Sequence, residues 1–295
     1  MSNDPYQSPR NYGQRRSMPM AARFIPILLG LVAIGWIAIK GCQQGPFGRQ
    51  QIVGLNPQEE QALGLQAFQE TLSGANVVRG GMDVAEVKAV TQRLIAATKN
   101  PEFLSAINLK PEEMEWAVEV IDSKEINAFC LPGGKMVVYT GILPIAENEA
   151  GLATVLGHEI AHALGHHGAE RMAQTQMANI AVNSASGSLS DLDPAQRQGI
   201  LQALNAGAKY GILSYSRSHE SEADRMGLLL MATAGFDPQE SIQFWERMAQ
   251  ATGEGPRPPE FMSTHPSHGT RISDLTSWMP EAMKLYTANR GRSPN

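Results

Sequence analysis

One helix sets the terms for the rest of this chain, because it has to be buried and yet carries two histidines and a glutamate among its apolar residues. Residues 147–167 read ENEAGLATVLGHEIAHALGHH, a helical stretch with few breakers. Gly151, Leu152, Ala153, Val155 and Leu156 precede the polar group, and Ile160, Ala161, Ala163 and Leu164 follow it. A solvated helix would not be small or apolar on so many sides, so this one belongs inside. His158 and His162 are four residues apart and share a face about one turn apart. Two imidazoles and the carboxylate of Glu159 in such a place need partners, and one metal ion supplies them. Zinc lowers the pKa of a bound water towards 7. Glu159 stands where it can take that water's proton as general base and later protonate a leaving amine. The ordinary alternative, a surface helix with two histidines and a solvated glutamate, conflicts with the apolar flanks.

A catalytic zinc site needs a third protein ligand and one open position. The pattern H-E-x-x-H-x-x-G-x-x-H fits at Gly165 but has Gly168 where the last histidine should be; His166 and His167 come early. His166 reads as a helix-end residue favoured by the helix dipole. The segment 216–230, SRSHESEADRMGLLL, offers acids instead. Glu220 and Asp224 are four apart and share a face, whereas Glu222 points elsewhere. Met226, Leu228, Leu229 and Leu230 indicate that this helix is buried too. Glu220 is the expected third ligand, and Asp224 either the carboxylate that orients a ligating histidine or a partner of the transition state. Acids at a helix start are the ordinary alternative, and spacing alone does not choose between Glu220 and Glu222.

The N-terminus is of another kind. Residues 24–39, FIPILLGLVAIGWIAI, follow Arg10, Arg15, Arg16 and Arg23 and are closed by Lys40. The run is short for a span, but Arg23 and Lys40 can snorkel and lengthen it. Residues 21–41 are therefore expected to form a single transmembrane anchor. The basic flank argues against a core helix, and no small-x-small site follows for signal cleavage. A lipoprotein site at Cys42 is disfavoured by Lys40. The arginines place the N-terminus on the cytoplasmic side and the body outside. The polar residues 1–20 are expected to be a disordered cytoplasmic tail. A net charge of −5 without a basic stripe gives no reason to expect nucleic acid. Cys42 and Cys130 form no disulfide framework, and Cys130 reads as a buried strand residue. Oligomeric state is not legible.

The body reads as one domain over residues 56–288, after a Gly- and Pro-broken linker at 42–55 and before a flexible tail at 289–295. Asn56 and Pro57 look like a helix cap and first turn. Helices are expected at 57–74, 84–98, 195–208, 221–234, 237–251 and 271–286. Strands are expected at 116–122, 128–131 and 135–140, the last two joined by the turn Pro132-Gly133-Gly134. Residues 183–193 read as a surface loop, and 253–269 as a second loop. The whole is α+β and mainly helical.

Taken together, EEQALG, NAFCLPGGKMVVYTGIL, HEIAHALGHHGAERM, ESEAD and HPSHGTR, in that order from about residue 58 to 271, resemble the membrane-associated gluzincin peptidases of the CaaX prenyl protease, HtpX, Oma and BepA types. The resemblance implies a zincin-like fold with a small antiparallel sheet beside the H-E-x-x-H helix, and one Zn2+ per chain on His158, His162 and Glu220. It implies Glu159 and Asp224 as catalytic acids. It implies that His265 can reach the zinc as a regulatory switch, and that Arg271 helps bind substrate or the developing oxyanion. Residues 127–141, beginning at Asn127, resemble the sheet whose edge pairs with an extended substrate, which is physically apt because backbone pairing depends little on side chains. The single span departs from the multi-pass members and resembles the single-span or lipoprotein Oma and BepA types. The implied function is membrane-anchored zinc-dependent endopeptidase action on unfolded or mislocalised envelope proteins. The alternative is a chaperone-like binding module that retains the fold without proteolysis.

Overall fold

The computed structural model describes residues 20–110, 113–189, 192–253, 260–265 and 269–290. The expected tail at 1–20 lies almost entirely outside the described residues, as does 291–295 of the tail at 289–295. After a 3-10 turn, α1 (Ile25–Gly41) carries the apolar run. The segment Ala21–Gly41 is long and apolar enough to cross a membrane. Leu28, Leu29, Leu31, Val32 and Trp36 are exposed along it, as an apolar helix outside any core must be. Lys40 lays its ammonium over the Trp36 ring at 5.1 Å.

The segment taken as a linker holds a short antiparallel hairpin, β1 (Cys42–Gln44) and β2 (Gln50–Ile52). Next come α2 (Pro57–Ser73), β3 (Val77–Val78), α3 (Met82–Ala97), α4 (Pro101–Ile107), β4 (Ala117–Ile121), β5 (Ala128–Leu131) and β6 (Lys135–Tyr139). The expected cap of α2 forms as a reciprocal pair: Glu59 N–H donates to Asn56 Oδ1 and Asn56 N–H to Glu59 Oε2, both at 2.9 Å. Gly133 (φ 73°) and Gly134 (φ 82°) turn β5 into β6 in a region that favours glycine.

The sheet order is β3-β4-β6-β5. It is mixed where an antiparallel sheet was expected, because β4 and β6 run parallel. The tight turn makes β6 antiparallel to β5. The chain then inserts β6 between β4 and β5, where it follows the direction of β4.

The remaining elements are α5 (Leu143–Ala146), α6 (Glu149–Leu164), α7 (His167–Ser188), α8 (Pro194–Thr233), α9 (Glu240–Gly253), α10 (Glu260–Thr264) and α11 (Arg271–Asn289). Helix α6 starts at Asn148, whose side chain accepts from the N–H groups of Ala150 and Gly151 at 2.9 Å. From Gly151 to Leu164 every residue but His162 is buried. It packs on α3, α8, α9 and β5, which confirms the buried helix read from its flanks.

Three expectations change. The helices expected at 195–208 and 221–234 are one continuous α8. Most of the loop expected at 183–193 is the end of α7, which packs along α1 with Gly30 against Ser184 and Gly187 against Pro26. The loop expected at 253–269 contains α10.

Candidate metal centre

Helices α6 and α8 cross at two glycines. A Cβ on Gly227 would stand 2.8 Å from the backbone nitrogen of His158, so only glycine permits this approach. The crossing sets the polar face of α8 against that of α6. His158 Nε2 is 3.1 Å from His162 Nε2. Glu220 reaches both, with Oε2 3.3 Å from His158 Nε2 and Oε1 3.4 Å from His162 Nε2. His265, just beyond α10, brings Nδ1 to 3.4 Å from His158 Nε2 and 3.2 Å from Glu220 Oε1. One donor atom from each of these four residues lies within 4.8 Å of every other.

The donor chemistry fits a divalent cation of zinc's type, which takes imidazole nitrogen and carboxylate oxygen. His158 Nδ1 is 2.9 Å from Asp224 Oδ1, so the ring is oriented with Nε2 towards the cluster. Arg271 locks Asp224 in turn: Nε donates to Oδ2 at 2.6 Å, Nη2 donates to Glu220 Oε2 at 3.2 Å, and the guanidinium lies 3.9 Å from the Trp245 ring centre. Without a cation, burial pulls His158 down in pKa, but Asp224 and Glu220 more than offset it and hold the ring up at about 10. Burial pushes His162 well below its ordinary value. Burial pushes Glu220 up, but His162, His158 and His265 outweigh it and hold the carboxyl below the usual range. Four donors drawn so close, with opposed shifts, form a site that a cation relieves.

Glu159 stays beside this group. Its Oε2 accepts from the Cys130 N–H of β5 at 3.1 Å, and Oε1 lies 3.6 Å from His265 Nε2. Among the described residues Oε1 accepts no hydrogen bond. Burial raises its pKa, as a proton acceptor requires. Cys130 itself is half-buried rather than fully buried.

A family model described as peptidase family M48 matches residues 84–279, more than half of the chain and the whole of this cluster. The chain belongs to peptidase family M48. The chain is 44% identical over 170 residues to the mitochondrial metalloendopeptidase OMA1 of Schizosaccharomyces pombe, covering 58% of this chain and 48% of that protein. It is 36% identical over 204 residues to the metalloendopeptidase OMA1 of Homo sapiens, covering 68% and 38% respectively. It is 35% identical over 158 residues to the beta-barrel assembly-enhancing protease of Escherichia coli, covering 52% and 32%. The chain thus spans about half or less of the length of these relatives.

For an M48 chain with one candidate N-terminal span, the sequence-derived site residues fall as follows. His158, His162, Glu220 and His265 come together, with Glu159, Asp224 and Arg271 in contact with them. Asn127 is apart: it is buried just before β5, and its carbonyl accepts from the Tyr139 N–H at 3.1 Å. His166 lies between α6 and α7, capping the start of α7 in the left-handed region (φ 52°), with Nδ1 3.0 Å from Glu60. Sequence reasoning missed Arg49 and Glu170, gave no role to His167 or His219, and left Glu222 only as the alternative to Glu220 as third ligand. These five form a cluster behind His162 in which His167, Glu170 and His219 are buried and Arg49 and Glu222 half-buried. For Arg49, between two short strands of irregular sequence, no local signal exists.

Proposed function

We propose that the chain is a membrane-anchored zinc endopeptidase acting on unfolded or mislocalised envelope proteins. One observation carries the reading: two imidazole nitrogens from α6 and both carboxylate oxygens of Glu220 from α8 converge, with Glu159 alongside. His158, His162 and Glu220 would hold the ion. When bound, zinc polarises a carbonyl and brings the pKa of water towards 7. Glu159 accepts the proton of the attacking water and passes it to the leaving amine. Cys130 N–H aims that carboxylate. Asp224 orients His158, and Arg271 orients Asp224 and Glu220, which makes Arg271 a positioning residue before it is an oxyanion donor.

Among the described residues β5 has a strand on one side only. Its other edge lies by Glu159, where an extended polypeptide pairs by β-augmentation. Asn127 stands at the start of that edge. The arginines before α1 put the N-terminus in the cytoplasm and the catalytic body on the outer side. The envelope substrate is inferred by likeness to relatives.

His265 adds a fourth protein donor, and a four-donor zinc site is closed. Its presence in the cluster supports a latent form, opened when His265 withdraws. His265→Ala should therefore digest unfolded protein faster than wild type, at unchanged metal content. Equal or slower digestion by a folded variant removes the latch.

The reading is tested by incubating the detergent-solubilised chain with unfolded casein and weighing the products by mass spectrometry. Internal cleavages that a chelator stops and added zinc restores are expected. Digestion indifferent to chelator contradicts the zinc reading. Suppressed aggregation without cleavage favours the chaperone-like alternative.

A further inference from the structure

The two α6 histidines are supported differently. His158 leans on Asp224 from α8. His162 leans on His167: their Nδ1 atoms are 2.8 Å apart. His167 Nε2 lies 2.9 Å from Glu222 Oε1. If Nε2–H donates to Glu222, His167 presents a bare Nδ1 to the Nδ1–H of His162, and His162 keeps Nε2 for the cation. Fixing a ligand's tautomer through its far ring nitrogen is the usual task of such a partner.

The Glu222 carboxylate, on a side chain only 8% exposed, needs a cation. Arg49 supplies it, donating from Nε at 2.8 Å to Oε2 and from Nη2 at 3.2 Å to Oε1, a two-pronged grip that sets the carboxylate plane. The same guanidinium holds Glu170, with Nη1 and Nη2 donating at 3.0 and 2.9 Å. Glu170 in turn lies 3.0 Å from His219, whose ring stacks on His167 at 4.4 Å. One arginine therefore braces His167 along its edge, through Glu222, and across its face, through Glu170 and His219.

Arg49 comes from the hairpin that directly follows the anchor helix. Its carbonyl accepts from the Gly45 N–H at 2.7 Å, and the last residue of α1, Gly41, accepts from the Val53 N–H at 2.8 Å. Anchor end, hairpin, Arg49, Glu222, His167 and His162 make an unbroken path.

We propose that Arg49 is a positioning residue for the metal centre, so that the segment joining the membrane anchor to the body helps set how tightly the ion is held. The inference rests on the zinc reading of the cluster above. It makes His162 the ligand through which movement of the membrane-proximal hairpin reaches the ion.

The test measures zinc affinity of the full-length protein in detergent, by competition with a chromogenic chelator. Wild type is compared with Arg49→Ala, Arg49→Lys, His167→Ala and the double variant Arg49→Ala/His167→Ala. Loss of such a partner weakens metal binding by about 10- to 100-fold. Arg49→Ala should fall near the low end and His167→Ala at or beyond it. The double variant should be no weaker than His167→Ala, because Arg49 acts through His167. Arg49→Lys should recover part of the affinity, since lysine returns the charge without the fork. Wild-type affinity in Arg49→Ala, or losses that multiply in the double variant, would overturn the inference. If Arg49→Ala fails to fold, the near-isosteric Glu222→Gln takes its place, and unchanged affinity there has the same force. Wild type that binds no zinc removes the underlying zinc reading instead, and is seen before any variant is compared.

Discussion

Glu159→Gln is expected to lower the turnover of an unfolded protein substrate by about 10²- to 10⁴-fold, the range for loss of a positioned general base, with zinc content unchanged. Glutamine has the same shape, and its amide oxygen can still accept from Cys130 N–H, which Glu159 does at 3.1 Å. The α6–β5 contact should therefore survive. What the variant lacks is a group able to take a proton. Glu159 is also not among the four residues whose donor atoms converge, so the ion should remain. The effect belongs in kcat rather than KM. Turnover within a few-fold of wild type, in protein that holds its metal, would assign the proton transfer to another group.

The second large effect is on stability. Arg271→Ala should destabilise the zinc-free protein by about 3–5 kcal/mol, the usual result of removing one member of a buried ion pair. At about 2–4 °C per kcal/mol for a domain of this size, the melting temperature should fall by roughly 10 °C. Arg271 is 3% exposed and answers Asp224 and Glu220 together. Its removal leaves two buried carboxylates facing each other across His158 and uncovers the Trp245 ring. Bound zinc should restore part of the loss, since a cation that binds only the folded chain stabilises it by mass action. Arg271→Lys should sit between alanine and wild type. A change below about 1 kcal/mol in the zinc-free protein would place Arg271 at an exposed pair.

Much of this site is readable along the chain because one local rule encodes it. The four-residue spacing of His158 and His162 in an apolar stretch states a face, a burial and a need for partners at once. Glu220 against Glu222 is another matter. Spacing leaves both open, and the choice is made where Gly157 meets Gly227 and α8 is rotated so that Glu220 faces the rings. Glu222 then faces His167 and Arg49. That is a contact between residues far apart in sequence, and no periodicity announces it.

Arg49 is hidden for the same reason, since a Gly- and Pro-rich segment reads as a spacer until its partners are known. The end of α7 was misread from composition. Ser184, Ser186, Gly187 and Ser188 are poor helix formers, but small residues let α7 approach α1 closely, and packing outweighs propensity. The β5–β6 hairpin was legible from its glycines. The parallel β4–β6 pair was not, because strand order is a property of the assembled sheet. His265 is the converse case, reached through likeness to a family and then found within hydrogen-bonding distance of Glu220.

Elemental analysis of the purified full-length protein after exhaustive dialysis addresses the metal centre most directly, with His162→Ala and Glu220→Ala prepared alongside. One zinc ion per wild-type chain and little or none in either variant is the predicted result. Wild-type protein without metal, or variants that keep a full complement, would contradict the assignment of these two helices as the holders of one cation.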